Sequence, residues 1–259
     1  MTEKKVAIIG GSSKGLGFAA AASLAQAGYI VVITGRNKIN LDIAHQKIKD
    51  FGGEVFSMVC DITSKNDNQV LLNAVLQKFN RIDVLVLNSG GPKAGAYDVL
   101  SELDWIEGFN SVLLYNLRLS TMVIPYLKKQ GWGRIINISS IVAKEPSPSL
   151  IISSVYRAGL AAFAKGISKD LIKYGITINT ICPGAFMTDR AKELIRIAAQ
   201  NQNKSEEEVQ QANVSSLPLG RYQEPEELGD FVKYLCSDLA GSITGTTINI
   251  DGGISNTIF

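Results

Sequence analysis

The chain has 259 residues, of which 46% are hydrophobic, with 26 basic and 24 acidic side chains for a net charge of +2. That length buries one large core, so a single domain is expected, and a near-neutral balance without a charge block implies neither nucleic acid nor an anionic membrane as partner. Cys60, Cys182 and Cys236 are widely spaced and His45 is the only imidazole, which excludes a disulfide framework and a zinc set and predicts buried thiols.

Short β-branched runs alternate with amphipathic stretches along the chain. "KVAIIG" (5–10), "YIVVITG" (29–35), "EVFSMVC" (54–60), "IDVLVLN" (82–88), "GRIINIS" (133–139), "GITINTIC" (175–182) and "GTTINID" (245–251) read as strands apolar on both faces. Helix patterns fall between them at 15–27, 38–51, 64–79, 102–129 with a break, 153–174 and 224–236. This repetition predicts an α/β, Rossmann-type doubly wound parallel sheet of about seven strands. The rhythm is interrupted at 185–223, where Ser205 and Glu208 form a capping box, so residues 186–215 are expected to be a helical lid beyond a strand end. The N-terminus runs straight into the first strand and no apolar run reaches about 18 residues, which predicts a soluble, cytoplasmic protein.

"GGSSKGLG" (10–17) lies between a strand and a helix. Gly11, Gly15 and Gly17 permit a tight turn that brings the N–H groups of residues such as Ser13, Gly15 and Leu16 to a pyrophosphate at the positive helix end. The second strand ends in Gly35-Arg36-Asn37 where a carboxylate would select a ribose 2′-hydroxyl, and Lys14 stands inside the loop. Two cations and no acid suit a 2′-phosphate, favouring NADP(H) over NAD(H).

Further motifs follow in order. Asp61 and Ile62 lie in "CDIT", Asn88 and Gly90 in "NSGG", Pro183, Gly184 and Thr188 in "PGAFMT", and "INIDGG" closes the chain's last strand. Together with the glycine loop, in which Gly10 replaces the usual threonine, they resemble the short-chain dehydrogenase/reductase family over nearly the whole chain. The resemblance implies Asp61 at the adenine amino group and Thr188 near the nicotinamide carboxamide. It also implies a homodimer or homotetramer, paired through the long central helices and the last strand. The small face of Ala158, Gly159, Ala161, Ala162 and Ala164 suits such close approach.

The family's chemistry implies a serine that polarises a carbonyl, a tyrosine that exchanges the proton, a lysine four residues later and an upstream asparagine. Counting back from "KYGITINTICPG" and forward from "IINISS" gives one register: Ser140 is kept, Ser153 replaces the tyrosine and Arg157 replaces the lysine. The asparagine position falls on Val112, with Asn110 and Asn116 off register. This resembles a divergent subgroup similar to 3-oxoacyl-acyl carrier protein reductases.

Arg157 can hold ribose hydroxyls but cannot relay a proton, and Ser153 is too weak an acid unaided. Tyr156, one turn past Ser153, is a candidate replacement acid, with ring packing as the alternative. Lys144, Glu145 and an ordered water are further candidates. The expected function is NADP(H)-dependent hydride transfer to a small-molecule carbonyl or from an alcohol, the substrate resembling a 3-oxoacyl thioester. The alternatives are a weak or inactive NADP(H)-binding sensor or scaffold, and non-redox chemistry with bound cofactor.

Overall fold

The computed structural model describes residues 4–258. β1 (Val6–Ile9), β2 (Ile30–Gly35), β3 (Glu54–Val59), β4 (Val84–Leu87), β5 (Gly133–Ile138), β6 (Ile176–Pro183) and β7 (Thr247–Ile250) pair in parallel in the order β3-β2-β1-β4-β5-β6-β7. Ala7 stands opposite Val31 on one side of β1 and Val84 on the other. The helices are α1 (Gly15–Gln26), α2 (Lys38–Asp50), α3 (Lys65–Phe79), α4 (Glu102–Gly108), α5 (Tyr115–Gln130), α6 (Ile151–Leu171), α7 (Asp189–Gln202), α8 (Glu206–Ser215) and α9 (Pro225–Leu235).

Every residue of β1, β4, β5 and β6 is buried, as continuous β-branched runs between two helical layers must be. Ala20 and Leu24 of α1 meet Leu228 and Val232 of α9 over one face, while Leu71, Tyr115, Val123 and Leu171 from α3, α5 and α6 cover the other. Cys60, Cys182 and Cys236 are buried free thiols, and burial pushes Cys60 and Cys236 up to about 12. β2 lies on one side of β1 and β4 on the other, so the connections diverge there and open a crevice outside the carboxyl ends of the strands.

Two helices add detail to the sequence reading. The 102–129 stretch breaks into α4, a π-helical segment over Phe109–Leu114, and α5. Side chains bond locally to backbone carbonyls across this break: Ser111 Oγ donates to Glu107 O at 2.8 Å, and Asn116 Nδ2 donates to Val112 O. The helix expected from residue 153 begins two residues earlier, at Ile151, with Ser154 Oγ accepting from the N–H of Ser147 at 3.2 Å.

The excursion after β6 is helical as expected. Thr188 caps α7, and the Ser205–Glu208 capping box starts α8. Ile195 and Ala199 of α7 close on Val209 of α8, with Met187 and Tyr222 against them, so the pair carries a small core of its own. Among the described residues, no helix is long and apolar enough to cross a membrane.

Candidate active site

The crevice is built around an uncapped helix. Asn37, Ser64, Thr188 and Ser205 cap the first N–H groups of α2, α3, α7 and α8 with their side chains. Lys14, ahead of α1, makes no such bond, and the first turn of α1 holds no acid. The N–H groups at this positive end therefore face the crevice without a side-chain partner. Gly11 and Gly15 adopt φ of +54° and +56°, which the turn into α1 requires. A Cβ on Gly17 would collide with Gly11 O and lie 2.7 Å from Asn88 Nδ2, so only glycine allows this approach.

Two hollows that share Gly11, Ser89, Gly90 and Gly91 are lined by most of the predicted cofactor residues. A cleft of about 850 Å³ is lined by Gly11, Lys14, Gly15, Leu16, Asn88, Gly90 and Thr188, with α7 and α8 adding Arg190 and Glu206 to its wall. A hollow of about 270 Å³ is lined by Ser13, Arg36, Asp61 and Ile62, again with Gly11 and Gly90. Asn88 Nδ2 donates to Gly11 O at 3.0 Å, fixing the end of β4 to the glycine turn. Burial works against charge on Asp61, but the N–H and hydroxyl of Thr63 donate to its Oδ1 at 2.9 and 2.8 Å. With the Arg36 guanidinium nearby, they hold its carboxyl below the usual carboxylate range. Pro183 ends β6 and is buried, and Gly184 N donates to Ile250 O at 2.9 Å, which sets the start of the segment leading to Thr188. An uncapped helix end, two cations and no carboxylate at the end of β2 fit a dinucleotide with a 2′-phosphate.

The predicted catalytic residues sit on the turn after β5 and on α6. Ser140 is partly exposed and accepts from Val142 N at 3.4 Å. Ser153 and Arg157 are both 7% exposed, and Arg157 Nε donates to Ser153 Oγ at 3.0 Å, an i, i+4 bond along α6. Arg157 Nη1 also reaches Ile138 O, at 3.3 Å, which ties α6 to the strand end two residues before Ser140. Burial pushes the guanidinium down to about 10, so it stays charged at neutral pH although no carboxylate pairs with it among the described residues. The pair thus brings a permanent cation and a polarised hydroxyl together.

Tyr156 shows the ring packing that the sequence left open beside the acid role. Its ring lies edge-on to Trp105, centroids 5.9 Å apart, and 5.8 Å from that of Phe109. The ring thus meets α4 and the π-helical segment, whose aromatic side chains supply its apolar neighbours. Glu145 accepts from the backbone N–H and side-chain Nδ2 of Asn256, at 2.9 and 3.2 Å, so it pins the C-terminal segment. Ala164 is buried in the main core and leaves the small face of α6 to Ala158, Gly159, Ala161 and Ala162.

Sequence reasoning missed Tyr115 and Thr63. Tyr115 is fully buried, and its hydroxyl donates to Asn88 O at 3.0 Å. The glycine at position 10 was the one available signal, since it marks a lost side chain next to the turn.

Comparison with known proteins agrees with this geometry. Residues 11–255 match the family model described as enoyl-(acyl carrier protein) reductase. The 3-oxoacyl-acyl-carrier-protein reductase of Thermotoga maritima is 31% identical over 97% of this chain and 98% of its own. The Synechocystis sp. protein of the same name is 33% identical over 96% of each. Among solved structures, an actinorhodin polyketide ketoreductase with NADPH superposes with a TM-score of 0.93 at 28% identity, covering 99% of both chains. L-sorbose reductase from Gluconobacter frateurii, complexed with NADPH and L-sorbose, gives 0.94 at 28% identity over 99% and 98%. With the sheet order, the glycine turn and near-complete coverage in agreement, the chain belongs to the short-chain dehydrogenase/reductase family.

Proposed function

We propose that the protein is an NADP(H)-dependent oxidoreductase that reduces a small-molecule carbonyl, with 3-oxoacyl thioesters as the first substrate class to test. The observation that carries this reading is the uncapped positive end of α1 opening onto a cleft lined by Lys14, with Arg36 in the neighbouring hollow that shares Gly11 and Gly90. Gly11, Ser13, Gly15, Leu16 and Gly17 shape the pyrophosphate seat, and Arg36 and Lys14 take the 2′-phosphate. Asp61 and Ile62 hold the adenine. Asn88, Gly90, Pro183, Gly184 and Thr188 frame the nicotinamide end, and Arg157 supports its ribose. The two identified solved structures contain NADPH, which supports the choice of cofactor.

When bound, NADPH supplies the hydride that reduces the carbonyl carbon. The chain's own residues act on the oxygen. The hydroxyls of Ser140 and Ser153 donate to it, and Arg157, already bonded to Ser153 Oγ, places positive charge where negative charge develops. The proton comes from solvent, a reading supported by the packing of the Tyr156 ring against Trp105 and Phe109. Residues 186–215 act as a lid, with α7 and α8 against the cleft. The location is cytoplasmic and the assembly a homodimer or homotetramer, the latter supported by exposed Val155, Ala158 and Ala162 along α6.

The absence of both phenol and ammonium from the catalytic pair also favours a second reading, an NADP(H)-binding sensor with little turnover. One experiment separates them: NADPH and NADH are titrated, then NADPH oxidation is followed with ketones, aldehydes and acetoacetyl thioesters. Tight NADPH binding with turnover supports the enzyme, binding without turnover on any substrate supports the sensor, and equal or tighter NADH binding removes the 2′-phosphate assignment.

A further inference from the structure

The glycine turn is braced by a side chain from a distant helix. Gly10 follows β1 directly, and its N–H donates to Val86 O of β4 at 2.9 Å. A Cβ built on Gly10 would lie 2.5 Å from the Tyr115 hydroxyl oxygen and 3.1 Å from Asn88 O. The space a side chain would take at Gly10 is therefore held by that hydroxyl. Tyr115 opens α5 immediately after the π-helical segment, is fully buried, and donates to Asn88 O at 3.0 Å. Asn88 in turn donates through Nδ2 to Gly11 O at 3.0 Å and to Gly10 O at 3.4 Å.

We infer that Tyr115 is a positioning residue for the cofactor: its hydroxyl fixes the Asn88 carbonyl and, through the Asn88 amide, sets the glycine turn that receives the pyrophosphate. The inference rests on the NADP(H) reading above. Burial pushes the phenol well above its ordinary range, so the hydroxyl stays protonated and acts as a donor throughout the working pH range. A larger residue at Gly10 would force the Tyr115 hydroxyl to shift, because the two compete for one volume.

The test is a cycle over Tyr115→Phe and Gly10→Ala, read by NADPH titration and by the melting temperature of the cofactor-free protein. Tyr115→Phe keeps the ring and removes the hydroxyl, and is expected to weaken NADPH binding about tenfold, the worth of one hydrogen bond to a buried carbonyl. The KM for NADPH should rise by more than kcat falls. Gly10→Ala should weaken binding at least as much in the parent, but much less in the Tyr115→Phe background, where the colliding oxygen is gone. Additive effects, or unchanged NADPH affinity with only a lower melting temperature, would overturn the inference and leave Tyr115 as core packing. If Tyr115→Phe does not fold, Gly10→Ala with unchanged affinity overturns it equally. A parent protein that binds no NADPH removes the cofactor reading itself and this inference with it, whereas equal binding by parent and variants removes this inference alone.

Discussion

The two halves of the crevice have changed to different extents. On the side of β1, β2 and β4, residues of the glycine turn, Arg36, Asp61 and Asn88 line two hollows. On the side of β5, β6 and α6, the frame is equally intact, yet the groups that would exchange a proton are replaced by Ser153 and Arg157. A dinucleotide seat is set largely by backbone N–H groups and turns, so it demands glycine at a few fixed points. Proton exchange is set by side-chain identity, and α6 forms with any helix-compatible residues at 153 and 157. Binding and chemistry can therefore be tested apart.

The sharpest break is at Ser140. Ser140→Ala is expected to cut turnover by about 10²–10³, the usual cost of one donor to a developing oxyanion, while NADPH titration stays within about threefold of the parent. Loss of NADPH binding in this variant would show that the two halves are not separable. The converse experiment restores the family pair with Ser153→Tyr and Arg157→Lys together. A phenol beside an ammonium adds general acid catalysis, so turnover should rise by about 10² or more and its pH profile should gain an inflection between about pH 6 and 9. The parent should show none in that window, because Arg157, although pushed down by burial to about 10, stays protonated there. That depressed value also sets a sign for stability. The unfolded chain holds the Arg157 proton more tightly than the native one, so the cost of the buried charge is present in full at neutral pH. It is relieved only as pH climbs from about 10 toward the ordinary arginine range.

On the binding side, Arg36→Ala should weaken NADPH about tenfold to a hundredfold, the worth of a charge-assisted hydrogen bond or two, and leave NADH nearly unchanged. Equal losses for both cofactors would place Arg36 outside the 2′-phosphate site.

The sheet was legible because its signals are local. The strands are short β-branched runs, the turn into α1 is marked by its glycines, and the Ser205–Glu208 capping box needs only four consecutive positions. The predicted cofactor residues were legible as a group for the same reason, although their roles are proposals. What was not legible depends on contacts between distant segments. Tyr115 reaches Asn88 across 27 positions, Arg157 reaches Ile138 O across 19, and Glu145 holds Asn256 across 111. The direction of Tyr156 was open because helical spacing gives an angle around α6, whereas the rings of Trp105 and Phe109 decide what lies at that angle. The π-helical segment was foreseen only as a break, since its geometry follows from side chains such as Ser111 and Asn116 bonding to carbonyls one turn back.

The smallest effect expected, and the one that tests most directly why the start of α1 is left open, comes from capping it. Lys14 has the extended conformation of a helix N-cap, with φ −156° and ψ 169°, but its side chain accepts nothing from the first turn. An aspartate there would accept from the free N–H groups and place negative charge at the positive helix end, stabilising the cofactor-free fold by about 0.5–1 kcal/mol. The same carboxylate would occupy the N–H groups that a pyrophosphate needs and repel it. Lys14→Asp is therefore expected to raise the melting temperature of the free protein and weaken NADPH binding at once, two changes in opposite directions from one side chain. If α1 were uncapped for a reason unrelated to ligand, the variant would gain stability with no loss of affinity. An end left open by function gains stability only by losing what the opening serves.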